Sequence, residues 1–276
     1  KDAYNTNFNE IKGYDHATLF KYINEYMQKL LAQVGTPKGL DLSWKEQYNQ
    51  ILDKYFGEDL QKFKWEEKTY SPKTYAESIG LVMDNYVSLT SFSNHPMHEK
   101  CLLEIPDNWA WGESYNVELE ELFTTCESAL KNGFTIAWGA DVSEKGFSFK
   151  NGIALVPENS AAIEVEGKDE KNYNNAGANR VSNAFLTPTK ELKITSEMRQ
   201  FAYDNKTTTD DHGMHIVGMY IDQVGTKYFL VKNSWGTSNF PKGYLYVSEA
   251  YFKFKTINIY IHKDGIPFNL KTKLKL

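Results

Sequence analysis

Apolar residues recur at helical spacing in the first part of the chain. Between His16 and Val34, the series Leu19, Ile23, Met27, Leu30 and Val34 predicts one amphipathic helix. Asp15 reads as its N-cap and Gly35 as its stop, with Pro37 beyond. Ser43-Trp44-Lys45-Glu46 has the form of a capping box, followed by an apolar face of Tyr48, Ile51, Leu52 and Tyr55 and then Gly57. Ser71-Pro72 opens a third, short helix with proline at its first position. A fourth helix, capped by Asn116 and ended by Gly133, carries the stripe Leu119, Leu122, Phe123, Cys126, Ala129 and Leu130.

After Gly133 the texture changes from helix to strand. Phe134 to Gly139 and Gly152 to Val156 are short apolar runs, the second stopped by Pro157. Glu158 to Asn183 is polar and reads as a loop, and Glu197 to Tyr203 as one or two helical turns. His215 to Ile221, Lys227 to Lys232, Tyr244 to Val247 and Thr256 to Ile261 are rich in β-branched and aromatic residues, which predicts an antiparallel meander. Asp222-Gln223-Val224-Gly225 supplies the turn of its first hairpin. The fold class is therefore α+β. Residues 1–115 form a mostly helical part with an insertion, 116–262 a β-rich part, and 263–276 a tail.

Composition narrows the function classes. The net charge of −5 and the lack of a Lys/Arg-rich block argue against nucleic acid as a partner. No apolar run approaches the roughly 18 residues of a membrane span. Two cysteines cannot make a disulfide framework. They fit a reducing compartment without excluding the periplasm. The chain begins at Lys1 rather than Met, which reads as a cut or truncated start. Cytoplasmic, periplasmic and secreted locations all stay open.

The chemistry gathers at the back of the chain. His212, in Asp211-His212-Gly213-Met214-His215, precedes one strand, and Asn233, in Lys232-Asn233-Ser234-Trp235-Gly236, ends its hairpin partner. The turn near Val224 lies midway between them, so the hairpin brings them side by side. A thiol or hydroxyl nucleophile needs a base, and the base needs a third group to fix its tautomer. Trp235 is placed to cover a His212–Asn233 hydrogen bond and keep water from it. His215 is three residues past His212, on the opposite face of a strand, and reads as a buried strand histidine rather than as a metal partner. His95 and His98 read as surface histidines on a loop, Cys126 as a core residue, and Trp109 and Trp111 as core packing or, less simply, a substrate wall. No metal or organic cofactor is implied.

The His212 to Gly218 segment resembles the histidine segment of papain-like cysteine peptidases, and Lys232 to Gly236 resembles their asparagine segment. Gly243-Tyr244 also falls where that family has a Gly-Tyr pair. Asn239, at a place where papain has a second tryptophan, and the tail beyond Ile261 bring the likeness nearest to the bleomycin hydrolase and aminopeptidase C branch. The resemblance implies a two-subdomain fold, a helical part and an antiparallel, barrel-like sheet, without the N-terminal catalytic helix in this chain. It implies His212 as base, Asn233 as its orienting group, Trp235 and Asp211 in support, and Asp141 and Gly213 near the cleft. For Asp141 a turn-capping role is an equal alternative.

The nucleophile departs from the pattern. No Cys-Trp pair and no Gln-Gly-x-Cys segment occurs, and the flanks of Cys101 and Cys126 match neither. The simplest expectation puts the thiol on a preceding segment or a separate light chain. The rival is a non-catalytic homologue that binds peptides. The tail Leu270 to Leu276 has lysine at every second position, which suits an extended segment. In the resembled branch the C-terminus enters the cleft and restricts the enzyme to aminopeptidase action; Leu276 would do so here, against a frayed end as the plain alternative. A peptide substrate, a homo-oligomer and a cytoplasmic site are what the resemblance implies; cysteine endopeptidase action is the alternative within the same fold.

Overall fold

The computed structural model describes residues 17–33, 43–57, 61–159, 163–166 and 179–276. The chain divides into two compact units, Lys1–Val82 and Met83–Leu276. In the first, the helical spacing gives α1 (Ala17–Gln33) and α2 (Trp44–Phe56), then a hairpin of β1 (Phe63–Trp65) and β2 (Lys68–Tyr70), then α3 (Pro72–Ser78). Tyr26 Oη donates to Trp44 O at 2.9 Å, tying α1 to the start of α2. The caps read from Asp15 and Gly35 lie outside the described residues. Ser43 precedes α2 but takes a helical backbone and makes no side-chain cap bond, so the capping box does not form. Ser71 does cap α3: its Oγ accepts from Thr74 N at 3.1 Å.

The second unit begins at Met83, earlier than the expected end of the helical part at residue 115. Apart from a single 3-10 turn at Met83–Asn85, residues 83–115 are not helical but feed the main sheet through β3 (Tyr86–Thr90), β4 (Lys100–Leu102) and β5 (Glu113–Asn116). Then follow α4 (Leu119–Lys131), β6 (Ile136–Ala140), β7 (Phe147–Ser148), β8 (Ile153–Ala154), and a small ribbon of β9 (Glu164–Glu166) and β10 (Asn179–Val181). That ribbon falls in the polar stretch read as a loop; residues 160–162 and 167–178 of that stretch lie outside the described residues. The last part runs α5 (Ser196–Asp204), β11 (His212–Ile221), β12 (Lys227–Lys232), β13 (Tyr244–Ser248), α6 (Glu249–Lys255), β14 (Thr256–His262) and α7 (Phe268–Leu274).

Ten strands form one sheet in the order β4-β5-β3-β14-β6-β11-β12-β13-β8-β7. The hairpins β11–β12 and β12–β13 are antiparallel, as the meander predicts. β14 departs from it: α6 carries the chain across, and β14 inserts between β3 and β6 instead of extending β13. The core lies under this sheet. The α4 stripe of Leu122, Phe123, Cys126 and Ala129 packs on Ile136, Trp138, Ile216, Phe229 and Val231, all at most 2% exposed. At roughly 1.5–3 kcal/mol for each fully buried large apolar side chain, this patch is what holds α4 to the sheet.

Asn116 does not cap α4. It is buried at the end of β5, where its side chain accepts from Phe92 N and donates to Phe92 O, both at 2.8 Å, bracing the loop after β3. Glu118 holds the cap position instead, and its N–H donates to Glu121 Oε2 at 3.1 Å. The tail is a helix rather than an extended strand or a frayed end. Leu270 and Leu274, one turn apart, join the main core at 3% exposure, and Lys273 reaches Glu121 at 2.5 Å.

Candidate active site

The register of one hairpin builds the site. β11 starts at His212 and pairs His215 with Lys232 of β12, so Asn233, just past the end of β12, comes beside the start of β11. His212 Nε2 lies 2.8 Å from Asn233 Oδ1. The orientation of the amide follows from its second contact. Ser234 N–H donates to the same Oδ1 at 2.7 Å, so that atom must be the oxygen. His212 therefore donates from Nε2, and Nδ1 is the nitrogen left for proton exchange in the neutral ring. The Asn233 Nδ2 is buried and has no hydrogen-bond partner among the described residues.

Trp235 lies over this pair. Its ring centroid is 4.9 Å from that of His212 at 31°, and it is held edge-on by Phe147 and Phe149. A backbone support lies behind it. Asn233 N donates to Gly243 O at 2.9 Å; Gly243 N donates to Asn239 Oδ1 at 2.8 Å, and Asn239 Nδ2 donates to Tyr244 O at 2.6 Å. Gly243 has φ +80°, a left-handed conformation that suits glycine. Asn239 thus pins the turn on which Asn233 rests, a role that its place in the sequence marks but does not explain.

Burial lowers the His212 pKa, against a weaker upward pull from the Asn233 bond and the Asp211 charge. Beneath it is a group of carboxylates. Asp211 accepts from Val142 N and Ser143 N, both at 3.2 Å, and from Thr209 Oγ1 at 2.7 Å. Its burial pushes its pKa up, but these bonds and one with the Asp141 carboxyl outweigh that and hold it below the usual range. Asp141 is fully buried, accepts from Ser143 N at 2.9 Å and Thr209 N at 3.2 Å, and is pushed up to about 7, first by burial and then by Asp211. Lys255 Nζ stands 3.6 Å from Asp141 but is in closer contact with Glu144, and it also donates to Thr207 O at 2.9 Å. Nothing in the sequence around Lys255 signals this position.

A cavity of about 760 Å³ opens beside His212, along the sheet from β5 to β11. Asp211, His212 and Gly213 line it; Asp141 and Leu276 do not. Asp141 accepts from Ser143 N and Ser143 Oγ, both at 2.9 Å, in the turn after β6. Leu276 is 37% exposed and its N–H closes the last helical turn on Lys271 O at 3.1 Å. Two other expectations change. His215 is exposed on its strand rather than buried, opposite Lys232 and Ala137. Trp109 and Trp111 are 83% and 74% exposed, so they are not core. His98 Nε2 pairs with Glu121 Oε2 at 2.7 Å. Among the described residues no cluster of His, Cys, Asp and Glu could hold a metal ion. Both cysteines are buried: Cys126 within the α4 core, Cys101 in β4, with four strands between β4 and β11.

Comparison with known proteins agrees with this architecture. Residues 156–261 match the model of the papain family of cysteine proteases. The chain is similar to aminopeptidase G of Lactobacillus delbrueckii subsp. lactis, 23% identical over 251 residues, which are 84% of this chain and 51% of that protein. It is also similar to aminopeptidase E of Lactobacillus helveticus, 23% identical over 252 residues, 88% of this chain and 48% of that protein. The chain thus spans about half the length of the curated relatives it matches. Among solved structures, PepW from Lactobacillus rhamnosis HN001 superposes with a TM-score of 0.65 at 20% identity, covering 94% of this chain and 58% of that one. The α+β fold is that of papain-like proteases, residues 156–261 are similar to the papain family of cysteine proteases, and the relatives are consistent with the aminopeptidase C and bleomycin hydrolase branch.

Proposed function

We propose that this chain carries the base half of a cysteine peptidase active site of aminopeptidase type. The observation that carries the reading is the His212 Nε2–H to Asn233 Oδ1 bond, its amide orientation set by Ser234 N–H and its face covered by Trp235. With Nε2 held there, Nδ1 is the atom that exchanges protons with a nucleophile. A thiolate beside it would form an ion pair with the imidazolium, its charge offsetting the burial that now lowers the His212 pKa. The sulfur attacks the scissile carbonyl carbon. The C–N bond breaks as His212 gives its proton to the leaving nitrogen, and water then cleaves the thioester with His212 as base.

The thiol belongs, in this reading, to polypeptide outside these 276 residues: a preceding segment or a light chain. Burial of both cysteines supports that, as does coverage of only 51% and 48% of the two aminopeptidases. Their names support exopeptidase action on the amino end of peptides, and the branch resemblance adds a homo-oligomer. Asp211 and Trp235 support the pair, and Gly213 lines the substrate side.

The test is hydrolysis of aminoacyl arylamides by the full-length protein. His212→Ala should abolish turnover. Asn233→Ala should lower kcat/KM by about 10- to 100-fold, the worth of a hydrogen bond to a charged group. A full-length wild type that turns over none of these substrates would overturn the reading in favour of a peptide-binding homologue, and a His212→Ala protein as active as a hydrolysing wild type would remove His212 as the base.

A further inference from the structure

The cavity beside His212 has features that the His212–Asn233 pair does not use. Its floor is polar: Ser88 and Ser114 share a hydroxyl hydrogen bond of 2.7 Å, and Asn258 Nδ2 donates to Ser88 Oγ at 3.2 Å. Gly139 leaves the room that the Asn258 amide needs, since a Cβ there would stand 2.5 Å from Asn258 Oδ1. The charged side chains along the cavity are all acidic: Asp107, Glu113, Asp210 and Asp211. Glu113 is paired with Lys100 at 3.0 Å, whereas Asp107 and Asp210 have no cationic partner among the described residues.

One wall is the loop from Leu103 to Gly112, which contributes Ile105, Asp107 and Asn108 to the lining. The loop is rigidly built. Asn108 Nδ2 donates to Leu103 O at 3.0 Å and to Gly112 O at 2.9 Å, Gly112 N donates to Asn108 Oδ1 at 2.8 Å, and Trp111 N donates to Asn108 O at 3.0 Å. At its tip Trp109 and Trp111 stand almost wholly in solvent, and Trp111 holds φ +57°, which bulky residues rarely adopt. Trp109 and Trp111 do not themselves line the cavity, but Asn108 and Gly112 on either side of them do, and two large aromatic surfaces left bare on so braced a turn serve a ligand rather than the fold.

We propose that this loop is the specificity wall of the site, with Trp109 and Trp111 receiving an aromatic or large apolar side chain of the peptide's amino-terminal residue. The proposal rests on the peptidase reading of His212. Charge selects the occupant: the uncompensated carboxylates of Asp107 and Asp210 suit the free α-ammonium group of that same residue.

The test uses the full-length protein and a Trp109→Ala/Trp111→Ala double variant, both on an exposed loop. Two readouts are taken. The first is the kcat/KM ratio of phenylalanyl over alanyl p-nitroanilide, which should fall about tenfold in the variant. The second is calorimetric binding of phenylalaninamide against N-acetylphenylalaninamide. The free amine should bind about tenfold tighter, the advantage should shrink in Asp210→Asn, and both ligands should weaken in the double variant. If hydrolysis proceeds and the double variant changes neither ratio nor binding, the wall is wrong and the peptidase stands. If no substrate turns over yet phenylalaninamide binding is lost with the tryptophans, the wall stands and the peptidase reading fails. Equal binding of the acetylated and free amides overturns the ammonium assignment, and absence of binding by either overturns the whole proposal.

Discussion

Asp141 is the residue whose ionisation sets the character of the layer under His212. It is fully buried, and it shares a hydrogen bond with the Asp211 carboxyl. Lys255 would favour its charged form, but the ammonium is taken up mainly by Glu144 and the backbone of Thr207, at shorter range than the 3.6 Å to Asp141. Burial therefore prevails, and the pKa rises from an unfolded value near 3.8 to about 7. The sign follows directly. Between those two values the folded chain binds a proton that the unfolded chain has released, so this group's contribution to stability is complete below about pH 3.8 and is lost as pH rises through 7. One such proton changes the unfolding free energy by up to about 1.4 kcal/mol per pH unit. Urea unfolding of wild type and Asp141→Asn between pH 4 and 7 should show the wild type losing stability relative to the variant. Parallel curves would mean that Asp141 is ionised throughout and paired with Lys255.

The last helix carries the clearest reversal at the scale of elements. Lysine at alternate positions from 271 to 275 suggests an extended tail, yet Leu270 and Leu274 are four apart, and that spacing reaches the core on one side of a helix. Lys271 then finds Asp264 at 3.3 Å and Lys273 finds Glu121 at 2.5 Å, the second a partner distant in sequence that the local pattern does not reveal. Leu274→Ala should cost about 2–5 kcal/mol, as other large-to-small core changes do, and lower the melting temperature without altering which peptides are cleaved. A variant of unchanged stability whose cleavage extends to blocked peptides would restore the tail as a cleft plug. Elsewhere, legibility in the sequence tracked locality. The β11–β12 hairpin, with its Asp222 turn, and the His212 and Asn233 segments could be read because each signal lies within a short stretch. The place of β14 between β3 and β6 could not, because it depends on pairings such as Ile259 with Leu89 across most of the unit. The exposed indoles of Trp109 and Trp111 were hidden for the opposite reason: large apolar residues are ordinarily core, and only the loop built by Asn108 turns them out.

At the scale of the whole molecule the open term is the thiol, and the two cysteines of this chain can be weighed against the task. A nucleophile must be a thiolate at working pH and must reach the imidazole of His212. Cys126 is fully buried in the α4 stripe, and burial drives its pKa far above the ordinary thiol range. Cys101 is pushed up to about 11, first by burial and then by the Glu113 charge, so at pH 7 only about one molecule in ten thousand carries the thiolate there. Four strands separate β4 from β11 as well. Both thiols thus behave as small core hydrophobes. Full-length protein treated at pH 7 with a peptide-based thiol alkylator and digested for mass spectrometry should carry the label on a cysteine outside these 276 residues, within minutes. The His212→Ala form should label at least tenfold more slowly, having lost the imidazolium that stabilises the thiolate. Cys101 and Cys126 should react only once the chain is unfolded. Rapid native labelling at Cys101, abolished by His212→Ala, would instead make Cys101 the nucleophile and require a different route from β4 to the base.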